Sequence, residues 1–170
     1  MINFKPLPPL EELQTFFAYD PITGELRWRK VAPPNRIKPG SIAGCTHNGY
    51  KRVKLNGSAL HVHRIAWMLS YEEDPGHLMI DHINGDATDN RLSNLRLANP
   101  SENKINQKMR CDNKSGFKGV SWYRRDSKWR AKIALKGKDY HIGYFETAED
   151  AYAAYVAEAK NLHGEFACYA

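Results

Sequence analysis

The residues of this 170-residue chain best suited to chemistry are an adjacent aspartate and histidine, Asp81-His82, followed by Asn94 and Asn103. Hydrolysis of a phosphodiester needs an activated water, a counter-charge for the nonbridging oxygens and help for the leaving alkoxide. A neutral imidazole with one hard cation supplies all three. His82 is the expected general base, and Asp81 and the side-chain oxygen of Asn103 are the expected cation ligands. Protein donors that are all oxygen, with water and phosphate completing the shell, favour one magnesium or manganese ion over zinc. Taken alone, an Asp-His pair at a strand end reads as a hydrogen-bonded surface pair. The register of the two asparagines is what points to catalysis.

Short elements must position these groups. Residues 78–83 read as a strand, Asn84-Gly85-Asp86 as turn chemistry with more loop to Asn90, and residues 95–98 as a second strand. Asn99, Pro100 and Glu102 then spell a helix start: a capping side chain, a proline at the first helical position and a capping-box carboxylate. Neighbours in a regular strand point to opposite faces, so Asp81 and His82 share a cleft only if the strand bends or ends there. Upstream, Leu10, Leu13, Phe16 and Phe17 form a helical stripe ending before the Asp20–Gly24 turn, and residues 25–29 a strand. Beyond the Pro33-Pro34 loop, Asn48-Gly49 and Asn56-Gly57 divide residues 41–46, 50–55 and 58–61 into a meander. A helix over Ile65–Leu69 follows. His61 and His63 read as packed imidazoles at its start rather than as phosphate contacts, and His47, His77, His141 and His163 lack a partner at metal-ligand spacing.

Charge separates along the chain. The formal net charge is +6, yet residues 81–103 hold four acids against two arginines. A local carboxylate cluster within basic flanks suits metal-assisted cleavage of a polyanion. Cys45, Cys111 and Cys168 are odd in number and never in paired spacing, which implies free thiols in a reducing compartment. No secretion signal or membrane span is legible, so an intracellular location is expected, the cytoplasm of a bacterial or phage-infected cell.

The runs Ile80-Asp81-His82-Ile83-Asn84-Gly85-Asp86, Asn90-Arg91-Leu92-Ser93-Asn94-Leu95-Arg96 and Ser101-Glu102-Asn103 resemble the HNH homing and phage endonucleases of the ββα-metal class. The resemblance implies His82 as the water-activating base, Asp81 and Asn103 as metal ligands, and Asn94 as a brace bonded to loop backbone. It also implies products with a 5′-phosphate and a 3′-hydroxyl. The His63–Trp67 and Asp20–Trp28 segments resemble upstream parts of the same enzymes.

Residues 114–141 carry nine Lys or Arg and only Asp126 and Asp139, whereas 146–165 carry five acids and Lys160. Strands over 117–125, 128–135 and 138–145, turning at Asp126-Ser127 and Lys136-Gly137, would pack on a helix that starts at Thr147 and ends at Gly164. Its apolar stripe is Ala148, Ala151, Tyr152, Tyr155, Ala159 and Leu162. Alternation turns Trp129, Ala131, Ile133 and Leu135 to the helix, and Arg130, Lys132 and Ala134 to the open face. Lys118, Ser121, Tyr123 and Arg125 are the first-strand candidates for that face, given an irregularity near Val120. A lone charge run is usually a solvated face; the segregation of sign points to double-stranded DNA on the open sheet. Phe117-Lys118-Gly119-Val120, Trp129-Arg130-Ala131-Lys132-Ile133, the run from Ile142 to Ala151 and Leu162-His163-Gly164 resemble the plant APETALA2/ethylene-response-factor domain. In that family the sheet enters the major groove and the position of Lys118 contacts DNA. Ser121 and Tyr123 stand where the plant domains usually place arginines, so their base preference does not transfer.

The expected fold class is therefore α+β: a ββα-metal HNH nuclease domain (1–103, catalytic core about 60–103), a basic linker (104–114) and a small three-stranded antiparallel sheet on one helix (115–170). Metal-dependent DNA cleavage is the expected function. A noncatalytic DNA-binding regulator that keeps the fold is the rival, and an RNA-directed or structure-selective nuclease a third reading. Monomer and homodimer are both open.

Overall fold

The computed structural model describes residues 6–30, 38–107, 109, 112–135 and 137–169; Cys111, the Pro33-Pro34 loop, Lys136 and the first five residues lie outside them. The chain divides into two compact units, Met1–Ala98 and Asn99–Ala170. Both are mixed α/β, and all of their small sheets are antiparallel.

In the first unit, α1 (Leu10–Phe16) passes directly into β1 (Phe17–Asp20), which pairs with β2 (Glu25–Trp28). The helical stripe thus ends one residue early. Phe17, fully buried, turns extended because its register partner is Trp28, whose ring lies 4.7 Å away. Burying an aromatic of this kind is worth about 3–5 kcal/mol against alanine.

The strand expected over 41–46 is split between two sheets. Trp28 N donates to Ser41 O and Ala43 N to Leu26 O, at 3.0 and 2.6 Å, while β3 (Cys45–His47) pairs with β4 (Tyr50–Leu55). Gly44 between them has φ +104°, a conformation that side chains resist, and it redirects the backbone. β5 (Ser58–His61) completes the three-stranded sheet, and both connections are the Asn-Gly hairpins expected. α2 (Val62–Tyr71) buries Val62, Ile65 and Met68 against Leu13, Leu26 and Leu60. Arg64 reaches from α2 to Asp74 at 2.9 Å and to Gly76 O at 3.1 Å, tying down the loop before β6 (Met79–His82). β6 then pairs with β7 (Leu95–Ala98).

The second unit starts at α3 (Pro100–Ile105), where the capping box of Asn99 and Glu102 is formed as read from the sequence. β8 (Val120–Tyr123), β9 (Lys128–Leu135) and β10 (Lys138–Phe145) make a sheet in the order β10-β9-β8. α4 (Ala148–His163) covers one face, burying Ala148, Ala151, Tyr155 and Ala159 around Val120, Ala131 and Ile133. Thr147 caps α4 by accepting from Asp150 N at 3.1 Å. Among the described residues no helix is long and apolar enough to cross a membrane.

Candidate active site

The loop between β6 and β7 is held from inside by Asn94. Its Oδ1 accepts from Asn84 N at 3.0 Å, and its Nδ2 donates to Asn84 Oδ1 at 3.0 Å and to Asp89 O at 2.8 Å. Asn84 Oδ1 also accepts from Asp86 N, which is the turn chemistry expected of that triplet. The Arg91 guanidinium beside Asp89 holds its carboxyl down to about 2. Asn94→Ala would leave Asn84 N and Asp89 O without these partners in a half-buried loop, a loss of about 2–3 kcal/mol. Urea denaturation should show that loss, and an unchanged midpoint would remove the bracing role.

From outside, the β1–β2 hairpin supports the same loop. Tyr19 donates its hydroxyl to Asn90 O at 2.7 Å, and Leu92 N donates to Pro21 O at 3.0 Å. Burial pushes the Tyr19 phenol up to about 12, so it stays a donor. Gly24, at φ +72°, lies so close to the loop that an added Cβ would stand 2.4 Å from Arg91 N. Only glycine fits there.

His82 ends β6 and is 5% exposed. Its Nε2 lies 3.1 Å from Oδ1 of Asn90, which is itself buried, and Asn90 Nδ2 donates to Thr88 O at 3.3 Å. That second bond turns the amide oxygen toward the ring, so Nε2 is the nitrogen that donates to it. Asn90 therefore orients the expected base. Sequence reading missed this role, although Asn90 lies within the motif, because a contact eight residues away depends on how the loop closes.

Asp81 makes a different set of contacts. Arg96, its register partner on β7, approaches Oδ2 with Nε and with a terminal nitrogen, both at 2.8 Å, and both side chains are largely buried. Asn103 lies in the first turn of α3, its N–H donating to Asn99 O at 3.0 Å. Among the described residues no three His, Cys, Asp or Glu side chains are grouped to hold a metal. The donors at hand thus do not fit a zinc-type cage.

Imidazoles crowd the neighbourhood of His82. The His63 ring stands 5.2 Å from it and 5.0 Å from His61, and Tyr50 lies edge-on to both His61 and His63. Burial lowers His63 well below the usual histidine value, with His82 and His61 adding to the effect; burial and Arg52 lower His61.

On the second unit, Ser121 and Arg130 are cross-strand partners, and Tyr123 lies between Arg125 and Arg130, their guanidinium carbons 5.4 and 5.5 Å from its ring centre. Lys132 pairs with Asp139 at 2.7 Å, and Arg125 with Asp126 at 2.9 Å. Tyr144 opposes Arg130, and His141 opposes Lys132, so these two join the same face. Lys118 precedes β8 and spends its ammonium on Ile105 O and Gln107 O, at 2.9 and 2.6 Å.

The stretch that builds the His82 loop is the one that known proteins share. The model of the HNH endonuclease family matches residues 60–105. The chain belongs to the HNH endonuclease family, a family of nucleases. It is 35% identical over 105 residues to protein 3.8 of Escherichia phage T7, covering 62% of this chain and 86% of that protein. It is 33% identical over 121 residues to an uncharacterized HNH endonuclease of Acanthamoeba polyphaga mimivirus, covering 71% of this chain and 62% of the relative. No solved structure matches the chain.

Proposed function

We propose that the chain is a metal-dependent DNA endonuclease in which His82 activates the attacking water. The observation that supports this reading is the Asn90 contact: a buried imidazole whose Nε2 donates to Asn90 Oδ1 would use Nδ1 as its basic nitrogen. His82 Nδ1 takes a proton from water as the water oxygen bonds to phosphorus. The bond from phosphorus to the 3′-oxygen breaks, and that oxygen leaves with a proton from solvent, giving a 5′-phosphate and a 3′-hydroxyl. Asp81 and Asn103 are the residues that would hold a divalent ion, magnesium or manganese. When bound, the ion would supply counter-charge to the phosphate oxygens and the leaving alkoxide. Arg96 orients the Asp81 carboxylate through Oδ2, and Asn94 keeps the loop closed.

Residues 115–170 act in this reading as a second hold on double-stranded DNA, with Ser121, Tyr123, Arg125, Arg130 and Lys132 on the binding face. Alternating cations and aromatic rings suit a polyanion. Lys118, a DNA contact by the resemblance to APETALA2 domains, also donates to Ile105 O and Gln107 O and so ties residues 105–107 to the start of the sheet. Replacing Arg130 and Lys132 together by Ala should weaken binding and make log Kd less steep in log salt by about 2. An unchanged slope would move the DNA off this face.

Nicking of a supercoiled plasmid with magnesium or manganese, against a chelator control, tests the whole reading. Binding without cleavage under every divalent ion would favour the noncatalytic regulator.

A further inference from the structure

His63 is packed, as its position at the start of α2 suggested, but packing does not account for its polar atoms. The residue is 7% exposed, its Nδ1 is fully buried without a hydrogen-bond partner among the described residues, and the same holds for Nδ1 of His61 and Nε of Arg52. Arg52 is the register partner of His61 on β4, so the three belong to one patch. Three buried donors or acceptors left unpaired side by side are uncommon, because each forfeits its hydration. Such groups call for a physical reason, and a role at an adjoining active site is one.

The charge around the patch says which ligand suits it. The groups whose fields act on His61 and His63 are Arg52, the other imidazoles and Arg64, the last offset by its pair with Asp74, which leaves Arg52 as the unpaired cation of the patch among the described residues. A cation is thus disfavoured, and no three side chains here have metal-holding geometry. An anion is the chemical complement. The patch also lies in the right place. A water bonded to His82 stands about 3 Å from the ring, and phosphorus in a near-attack pose about 3–3.5 Å beyond that water. On the side of His82 that faces His63, whose ring centre is 5.2 Å away, the phosphate oxygens would fall within reach of that ring.

We propose that His63 and Arg52, with His61 beside them, bind a nonbridging oxygen of the phosphodiester being cut. This rests on reading His82 as the base. It adds a substrate-binding group upstream of the Asp81–Asn103 stretch, on the β5–α2 junction, and gives that junction a part in positioning the scissile phosphate.

Two measurements on the full-length protein test it. In single-turnover cleavage of a DNA duplex, His63→Gln and Arg52→Ala should each slow the reaction on the order of 10²-fold, as loss of one donor to a developing anion does. Rates within threefold of wild type would overturn the proposal. Because His63 variants can fail to fold, the second measurement uses the wild-type protein with 15N-labelled histidine in chelator. Adding a short duplex until backbone amide shifts saturate should move the His63 ring nitrogen resonances, and Arg52→Ala should diminish the movement. Resonances that stay put at saturation would overturn it. If the wild-type protein cuts no DNA with any divalent ion, the nuclease reading falls by itself, and the nitrogen shifts still decide whether His63 meets the phosphate.

Discussion

His82→Ala is expected to lower plasmid cleavage by about 10³-fold, within the range that a positioned general base contributes. The substitution also orphans Asn90 Oδ1, which is buried, so part of the loss could come from a loosened loop. Asn90→Ala separates the two effects. It leaves the imidazole in place but frees its tautomer and orientation, and should cost about 10-fold to 100-fold, as loss of a supporting contact does. If Asn90 acts through His82, the double variant will be no slower than His82→Ala alone. Additive losses would make Asn90 a separate contributor, and His82→Ala activity within tenfold of wild type would remove His82 as the base.

Asp81 carries the second large effect, and the Arg96 pair changes how it must be tested. Asp81→Ala removes the partner of a largely buried guanidinium, and breaking a buried pair in this way costs about 3–5 kcal/mol. Its loss of activity would therefore mix metal affinity with stability. Asp81→Asn keeps shape and an acceptor for Arg96 while removing the charge. It should cut cleavage by more than the roughly 100-fold typical of an outer-shell change, recover part of the rate at raised magnesium or manganese, and leave DNA binding intact. Equal loss of binding and cleavage would make Asp81 structural. Wild-type cleavage would remove it from the metal site.

Much of this was legible locally. Asn-Gly dipeptides dictated the hairpins at 48–49 and 56–57, and Asn99, Pro100 and Glu102 dictated the start of α3, because turns and caps are short-range hydrogen-bond chemistry. The brace at Asn94 was legible only through the family resemblance. The division of residues 41–47 between β2 and β4 was not legible, since strand propensity does not name the partner. Tyr144 was missed on the basic face for a related reason. The register shift between His141 and Gly143 inserts one residue, so His141 and Tyr144 share a face although three positions separate them.

The sequence by itself determined the motif from Asp81 to Asn103 and the segregation of charge, because residue type and spacing fix what chemistry is available. Tertiary structure alone decided how that chemistry is tuned. The Asn90 amide meets His82 across the loop, Arg96 pairs with the carboxylate of Asp81, and the His63 ring reaches His82 from a helix 19 residues upstream. Hydrogen-bond partners and ring contacts across that separation depend on how the β4–β5 sheet, α2 and β6 fold together, and no local pattern encodes them.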